Sequence, residues 1–276
     1  MAKGQKKVAL VTGASSGMGK AIAQKLLKDG LIVVAAARRV GEMEDLKKMG
    51  ADVIEMDVSK EASMSAGIAH ISNTHGGVDV LINNAGFGLL GAVEDIPADD
   101  ARYQFEVNVF GGARLVQLVL PHMREKKAGK IVFITSMGGK IYTPMGAWYH
   151  ASKHALEGLA DCLRLELSAF KIDVVVVEPG IIQTEFGHVT EEPLIKYSGD
   201  GPYAPMARNV AGAISDSYAN GKASPASLIA KVVSRAVKAR RPKTRYAAGQ
   251  LARPLLFIRK WFGDRIFDRA ILSAAK

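Results

Sequence analysis

Tyr149 and Lys153 stand four residues apart in GAWYHASKHALEG (146–158), a stretch with helical composition. That spacing puts a phenol and an ammonium on one helix face, about 6 Å apart along the axis. A free tyrosine titrates near 10 and is a poor base at neutral pH. A cation roughly 5 Å away, at an effective dielectric near 20, contributes about 3 kcal/mol, or about two pKa units. The expectation is an acid–base pair in which Lys153 draws the Tyr149 proton off more easily than from a free phenol. His150 and His154 are also four apart, but they lie about 100° around the helix from the tyrosine. No acidic or cysteine partner at metal spacing accompanies them, so they read as solvated or interface residues and no metal site is expected.

Such a pair needs a rigid scaffold, and the chain supplies alternating elements. Apolar runs of strand length recur at KVALVT from Lys7, LIVVAAA from Leu31, ADVIEM from Ala51, VDVLIN from Val78, KIVFIT from Lys130 and DVVVVEP from Asp173. They are nearly continuous rather than alternating, as in strands covered on both faces, with helix-length segments such as 18–28 and 149–170 between them. This order predicts an α/β fold, a Rossmann-type doubly wound parallel sheet in a single domain with a helical C-terminal extension. The expected division is a dinucleotide-binding and catalytic domain over 1–250, with 185–225 as a substrate lid within it, and a tail over 251–276. In such a sheet ligands sit beyond the carboxyl ends of the strands.

The first run ends in VTGASSGMGKAIAQKL, where Gly13, Gly17 and Gly19 precede a helix. Glycines there let the backbone approach a pyrophosphate and offer it the free N–H groups of the helix start, although a tight turn without a ligand is the competing reading. A chain that reads the ribose 2′-hydroxyl places an acidic residue about 20 positions further on. Here AAARRV puts Ala37 at that place, followed by Arg38 and Arg39. Two guanidiniums suit a 2′-phosphate, so NADP(H) is expected over NAD; a solvated basic turn is the alternative.

Together, TGASSGMG (12–19), NNAG (83–86), Asn108 in FEVNVFGG, Ser136 in IVFITSMGG, YHASK (149–153) and EPGIIQTEF (178–186) resemble the short-chain dehydrogenase/reductase family over roughly residues 6–190. YHASKHALEGLADCLRLEL and the long tail resemble its 17β-hydroxysteroid and retinol dehydrogenase members more than its ketoacyl-carrier-protein reductases. The resemblance implies a catalytic set of Asn108, Ser136, Tyr149 and Lys153. Ser136 would hydrogen-bond the substrate oxygen, Lys153 would also hold the nicotinamide ribose, and Asn108 would hold a water linking Lys153 to solvent. It implies cofactor contacts from Gly13, Ser15, Ser16, Gly17, Met18, Gly19, Asp57, Val58, Asn83, Ala85 and Gly86 on the adenosine and phosphate side. Tyr149, Lys153, Pro179, Gly180, Ile182 and Thr184 would serve the nicotinamide end. The activity implied is NADP-dependent interconversion of a carbonyl and an alcohol. A 3-oxoacyl-thioester reductase and a non-catalytic dinucleotide-binding sensor or scaffold are the alternatives. Homo-oligomerisation, as dimer or tetramer, follows the family habit.

Met137, Tyr142, Met145 and Trp148 lie between the serine and the tyrosine, and two readings of them stand level: lining of an apolar pocket beside Ser136 and Tyr149, or core and dimer contacts. The first would favour a bulky uncharged substrate. The tail RPLLFIRKWFGDRIFDRAIL splits at Gly263 into two pieces with apolar halves. It would roof the pocket, touch an anionic membrane surface, or meet an acidic partner. The net charge of +10 is concentrated towards that end. From Lys222 on there are fourteen Lys and Arg against two Asp, whereas residues 1–221 carry 23 against 25. A near-neutral body argues against nucleic-acid binding. Cys162 is the only cysteine, so no internal disulfide or cysteine metal cage forms, which suits a reducing cytosol. The start lacks a signal-peptide pattern and no run approaches a membrane span, so a cytoplasmic protein is expected.

Overall fold

The Val-, Ile- and Ala-rich runs have little polar face to show to water, and each forms a strand packed between helices, fully buried for the most part but only half-buried over Asp52–Glu55 at the sheet edge. The computed structural model describes residues 6–274; the first five residues of the expected domain and the last two of the expected tail lie outside the described residues. The strands are β1 (Val8–Thr12), β2 (Ile32–Ala37), β3 (Asp52–Glu55), β4 (Val80–Asn83), β5 (Gly129–Ile134), β6 (Ile172–Pro179), β7 (Ile182–Gln183), β8 (Ser224–Pro225) and β9 (Arg245–Ala248). The helices are α1 (Gly17–Lys28), α2 (Glu44–Lys48), α3 (Glu61–His75), α4 (Ala98–Phe105), α5 (Gly111–Lys126), α6 (Ala147–Glu166), α7 (Phe186–Ser198), α8 (Ala204–Tyr218), α9 (Ala226–Lys238) and α10 (Ala252–Ala274).

Seven strands form one sheet in the order β3-β2-β1-β4-β5-β6-β9, with every neighbouring pair parallel. This is the doubly wound Rossmann-type sheet that the sequence predicts. Strand β9 was not foreseen, because RYAA is short, partly polar and only half-buried at the edge. Alternate residues of each strand feed two cores. Ala9 and Val11 pack with Ile22 and Leu26 of α1 and Ile229 and Val233 of α9. Val8 and Leu10 pack on the other face with Leu115 and Val119 of α5 and Leu156 of α6. Helix α9 buries Ile229, Val233, Ala236 and Val237, the spacing of one helical stripe.

The strand order reverses between β1 and β4, and there a crevice opens at their carboxyl ends. One hydroxyl fixes its floor. Thr12 Oγ1 accepts from the backbone N–H groups of Asn84 and Ala85, both at 3.0 Å, while Asn84 Nδ2 donates to the Thr12 carbonyl at 2.9 Å. Phe186 and Thr190 of α7 and Val210 and Ile214 of α8 line the space at this end, and the segment expected as a lid is largely helical. Helix α10 breaks at Gly263 (φ 70°, ψ −179°), the split point predicted from sequence. Among the described residues no helix is long and apolar enough to cross a membrane.

Candidate active site

Gly13 (φ 65°) and Gly17 (φ 52°) bend the chain after β1 through the left-handed region, where a side chain is costly. Gly19 answers a different need, close approach: a Cβ there would lie 2.2 Å from the Gly13 carbonyl oxygen. The turn thereby presses onto the start of α1, whose first N–H groups lack helical partners. A groove of about 560 Å³ runs from this turn, past Gly13, Ser15, Ser16, Gly17 and Gly19, to Arg38 and Arg39. Asp57, Val58 and Ala85 form part of its wall. Arg38 donates to the Tyr103 hydroxyl at 3.1 Å; Arg39 donates to Ser16 Oγ at 3.3 Å and lies 3.7 Å from Glu185. Burial pushes the Asp57 carboxyl up, yet hydrogen bonds from the Ser59 amide (2.9 Å) and hydroxyl (2.7 Å) outweigh it and hold it below its ordinary value. A glycine turn on a helix start at one end and paired guanidiniums at the other fit a dinucleotide.

The groove opens into a cavity of about 340 Å³, and the two share Met18, Asn84, Gly86, Phe87, Thr184 and Phe186. Ser136, Tyr149, Lys153, Pro179, Gly180 and Ile182 line this inner part. Ser136 lies just past β5 and its Oγ accepts from Gly138 N–H at 3.0 Å, which leaves its own O–H free to donate. Lys153 is buried and donates to the Ile134 carbonyl at 3.2 Å. Its Nζ lies 5.9 Å from the Tyr149 ring centroid. Asn108 sits in a π-helical turn over Glu106–Phe110 that joins α4 to α5. Both its side-chain donors are taken, by the Phe87 carbonyl at 2.9 Å and Ser152 Oγ at 3.0 Å, and its oxygen accepts from Phe87 N–H at 2.9 Å. Asn108 thus ties the loop after β4 to α6, the helix that carries Tyr149 and Lys153; its side chain has no donor left for a water.

The sequence profile of the short chain dehydrogenases matches residues 7–194. The chain belongs to the short-chain dehydrogenase/reductase family. It is 39% identical over 182 residues to a 3-ketodihydrosphingosine reductase of Bacteroides thetaiotaomicron, covering 66% of this chain and just under two thirds (66%) of that one. It is 32% identical over 251 residues to the oxidoreductase BOA17 of Botryotinia fuckeliana, covering 88% and 89%. Among solved structures, a short-chain dehydrogenase from Streptomyces avermitilis is 33% identical with a TM-score of 0.78, over 91% of both chains. An actinorhodin polyketide ketoreductase with NADPH is 30% identical with a TM-score of 0.76, over 90% of this chain and 97% of that one. The chain thus has the dinucleotide-binding fold of that family.

Several family-based expectations need correction. Asn83 faces away from the cleft: it is buried and donates to the Gly112 carbonyl at 2.9 Å. The strand's alternation turns Asn84 to the cleft instead, so of the two asparagines in NNAG the second one lines it. Met137 lines the inner cavity, but Tyr142 and Met145 do not. Met145 is buried with Leu90, Leu194 and Ala207, in a left-handed conformation (φ 63°). Tyr142 donates to Asp268 at 2.8 Å and packs edge-on against Phe267, which pins α10 to the body. Trp148 packs with Leu89 and Ile96. His154 is exposed, but His150 is not a solvated residue. Its Nε2 accepts from Thr143 N–H at 3.1 Å, so its Nδ1 carries the proton that bonds the Gly138 carbonyl at 2.9 Å. That face of α6 meets the loop after β5 rather than water. Burial pushes the imidazole below its ordinary value, keeping it neutral and suited to bracing the Ser136 loop.

The acid–base pair also departs from expectation in one respect. Burial raises the Tyr149 phenol above its usual value, against a lowering hydrogen bond with Ser136, and burial pulls Lys153 down to about 8. The sequence reveals the neighbouring charge but not the desolvation that opposes it. Also unforeseen are the aromatic walls: the Phe186 ring of α7 packs tilted against Tyr149, 5.5 Å between centroids, and Tyr218 of α8 faces the cavity with its phenol pushed to about 12 by burial. Their only sequence signal is aromatic content in a helical segment, which ordinary core residues share.

Proposed function

We propose that this protein is an NADP(H)-dependent carbonyl reductase and alcohol dehydrogenase for a bulky, uncharged, hydrophobic ketone or secondary alcohol. The observation that carries this reading is the inner cavity: Met137, Ile141, Phe186, Val210 and Ile214 wall it, while Ser136 and Tyr149 supply hydroxyls at the end that meets the groove. Apolar walls with a few convergent polar groups select an apolar ligand and fix one polar atom of it. The likeness to the Bacteroides 3-ketodihydrosphingosine reductase supports the same substrate class. Arg38 and Arg39 at the far end of the groove, and the NADPH in the ketoreductase structure, support NADP(H).

A bound nicotinamide dinucleotide supplies or accepts the hydride. The chain holds and moves the proton. Ser136 donates its free O–H to the substrate oxygen and stabilises the alkoxide-like charge that develops there. Tyr149, kept protonated at neutral pH by burial, gives its Oη proton to that oxygen. Lys153, with its value near 8, is largely charged at pH 7 and stabilises the phenolate left behind. Protonated phenol and charged ammonium are together the form ready for ketone reduction. Reduction is expected to weaken as pH rises through about 8, because Lys153 then loses its charge. Asn108 and His150 keep α6 and the serine loop in place.

The test is NADPH oxidation at neutral pH against steroid, retinoid, aryl-ketone, long-chain keto and acyl-thioester substrates. Tyr149→Phe should lose at least about a hundredfold in kcat, the contribution of a positioned proton donor. A Tyr149→Phe protein that keeps most of its activity overturns the assignment. Turnover with the acyl-thioester alone would move the substrate class, and no turnover by the wild type would favour a sensor.

A further inference from the structure

Helix α10 has two apolar surfaces, and only one is used inside the protein. Its inner side buries Phe267 completely and contributes Ile271 to the wall of the inner cavity, with Tyr142 and Asp268 as the tether. Its outer side carries Phe257, Trp261, Phe262 and Ile266, which are 58%, 65%, 48% and 49% exposed. The aromatic three form one cluster, with Phe257 6.5 Å from Trp261 and 6.1 Å from Phe262 between ring centroids. Contiguous exposed aromatics of this size mark an interaction surface. Lys260 Nζ lies 5.1 Å over the Trp261 ring, and Arg253, Arg265 and Arg269 are further exposed cations of the same helix.

We propose that the outer face of α10 docks on an anionic lipid surface, with Phe257, Trp261 and Phe262 entering the boundary between headgroups and chains. Aromatic and aliphatic side chains flanked by lysine and arginine are the chemistry of helices that lie in a membrane interface. The cations add an attraction to an anionic surface that salt screens. An isologous contact between two copies would bring the exposed cations of both α10 helices together, which opposes pairing through this face. The break at Gly263 places the outer cluster on one segment and the cavity-lining Ile271 on the next, so the docking surface adjoins the roof of the apolar cavity. Docking is independent of the reaction proposed above, and its test reads binding alone.

The full chain is floated with vesicles of phosphatidylcholine, with and without phosphatidylglycerol. Removal of the tail is avoided, because Phe267 and Ile271 belong to the body. The wild type should float with the anionic vesicles, less so at high salt, and remain in solution with the neutral ones. Phe257→Ser with Trp261→Ser and Phe262→Ser should reduce the bound-to-free ratio at least about tenfold, as should Lys260→Glu with Arg265→Glu. These side chains are exposed, so both variants should keep the wild-type melting temperature. Trp148 and Trp261 are the two tryptophans, so Trp148→Phe leaves a single reporter whose emission should shift to the blue on anionic vesicles. A wild type that stays in solution with anionic vesicles overturns the proposal. So does flotation that the aromatic substitutions leave unchanged, or a wild-type oligomer that these substitutions dissociate while vesicles bind neither form.

Discussion

Replacing Gly19 with alanine should damage the protein out of proportion to one methyl group. The added Cβ would stand 2.2 Å from the Gly13 carbonyl oxygen and 2.6 Å from Asn84 Nδ2, whereas contacts of a real Cβ almost never fall below 3.0 Å. Separation by about 0.8 Å is required, and the first atom is backbone, in a residue already held at φ 65°. Overpacking of this kind costs about 1–3 kcal/mol, which for a domain of this size lowers the melting temperature by about 2–10 °C. Movement of the Gly13 carbonyl also pulls the turn away from the start of α1. Loss of one hydrogen bond to a charged phosphate there costs about 1.5–3 kcal/mol, so the NADPH dissociation constant should rise at least tenfold. Gly158→Ala is the matched control. Gly158 is an exposed position inside α6 with ordinary helical backbone and nothing within 4 Å of the new Cβ, so alanine should raise stability by about 0.5–1 kcal/mol. Thermal melts and NADPH fluorescence titration measure both. Gly19→Ala with wild-type melting and wild-type affinity would refute the close-packed turn.

Arg38→Ala combined with Arg39→Ala should raise the KM for NADPH more than about tenfold and leave that for NADH nearly unchanged; equal effects on the two cofactors would remove the 2′-phosphate assignment. Glu178 gives a pH signature. Burial, with Glu157 nearby, raises its carboxyl from 4.5 to about 7, so the folded state binds its proton more tightly than the unfolded state does. The stability it contributes is present below about 4.5 and is lost as pH rises through about 7. Glu178→Gln should flatten that part of the melting-temperature profile between pH 5 and 7 relative to the wild type, and an unchanged difference across the window contradicts it.

The parts of the site that follow a local rule were readable in advance. Tyr149 and Lys153 share a face because helices repeat every 3.6 residues, and Gly13, Gly17 and Gly19 announce a turn that only glycine tolerates. Other parts depend on what packs against them. Strand β9 is a strand because β6 offers it an edge, not because RYAA prefers that state. His150 shows a polar side chain in the sequence, and only the fold reveals that the loop of Gly138 and Thr143 covers it. Met145 and Tyr142 have pocket-like side chains that tertiary structure spends on the α7–α8 core and on the α10 tether. The raised Tyr149 phenol follows the same logic: charge is written in sequence, whereas desolvation is a property of the assembled site.

The edge strand also bears on how the chain reaches its folded state as it is synthesised. Arg245 of β9 donates to Glu157 at 2.9 Å and Asp161 at 2.7 Å, both on α6, and lies 3.5 Å from Glu178. All three carboxylates leave the ribosome well before their arginine, and until it arrives Lys140, 3.4 Å from Glu157, and Arg164, 2.9 Å from Asp161, are cations the earlier chain brings to them. The helix that carries Tyr149 and Lys153 is encoded in the middle of the chain, yet its partner Arg245 emerges only 84 to 88 residues after Asp161 and Glu157.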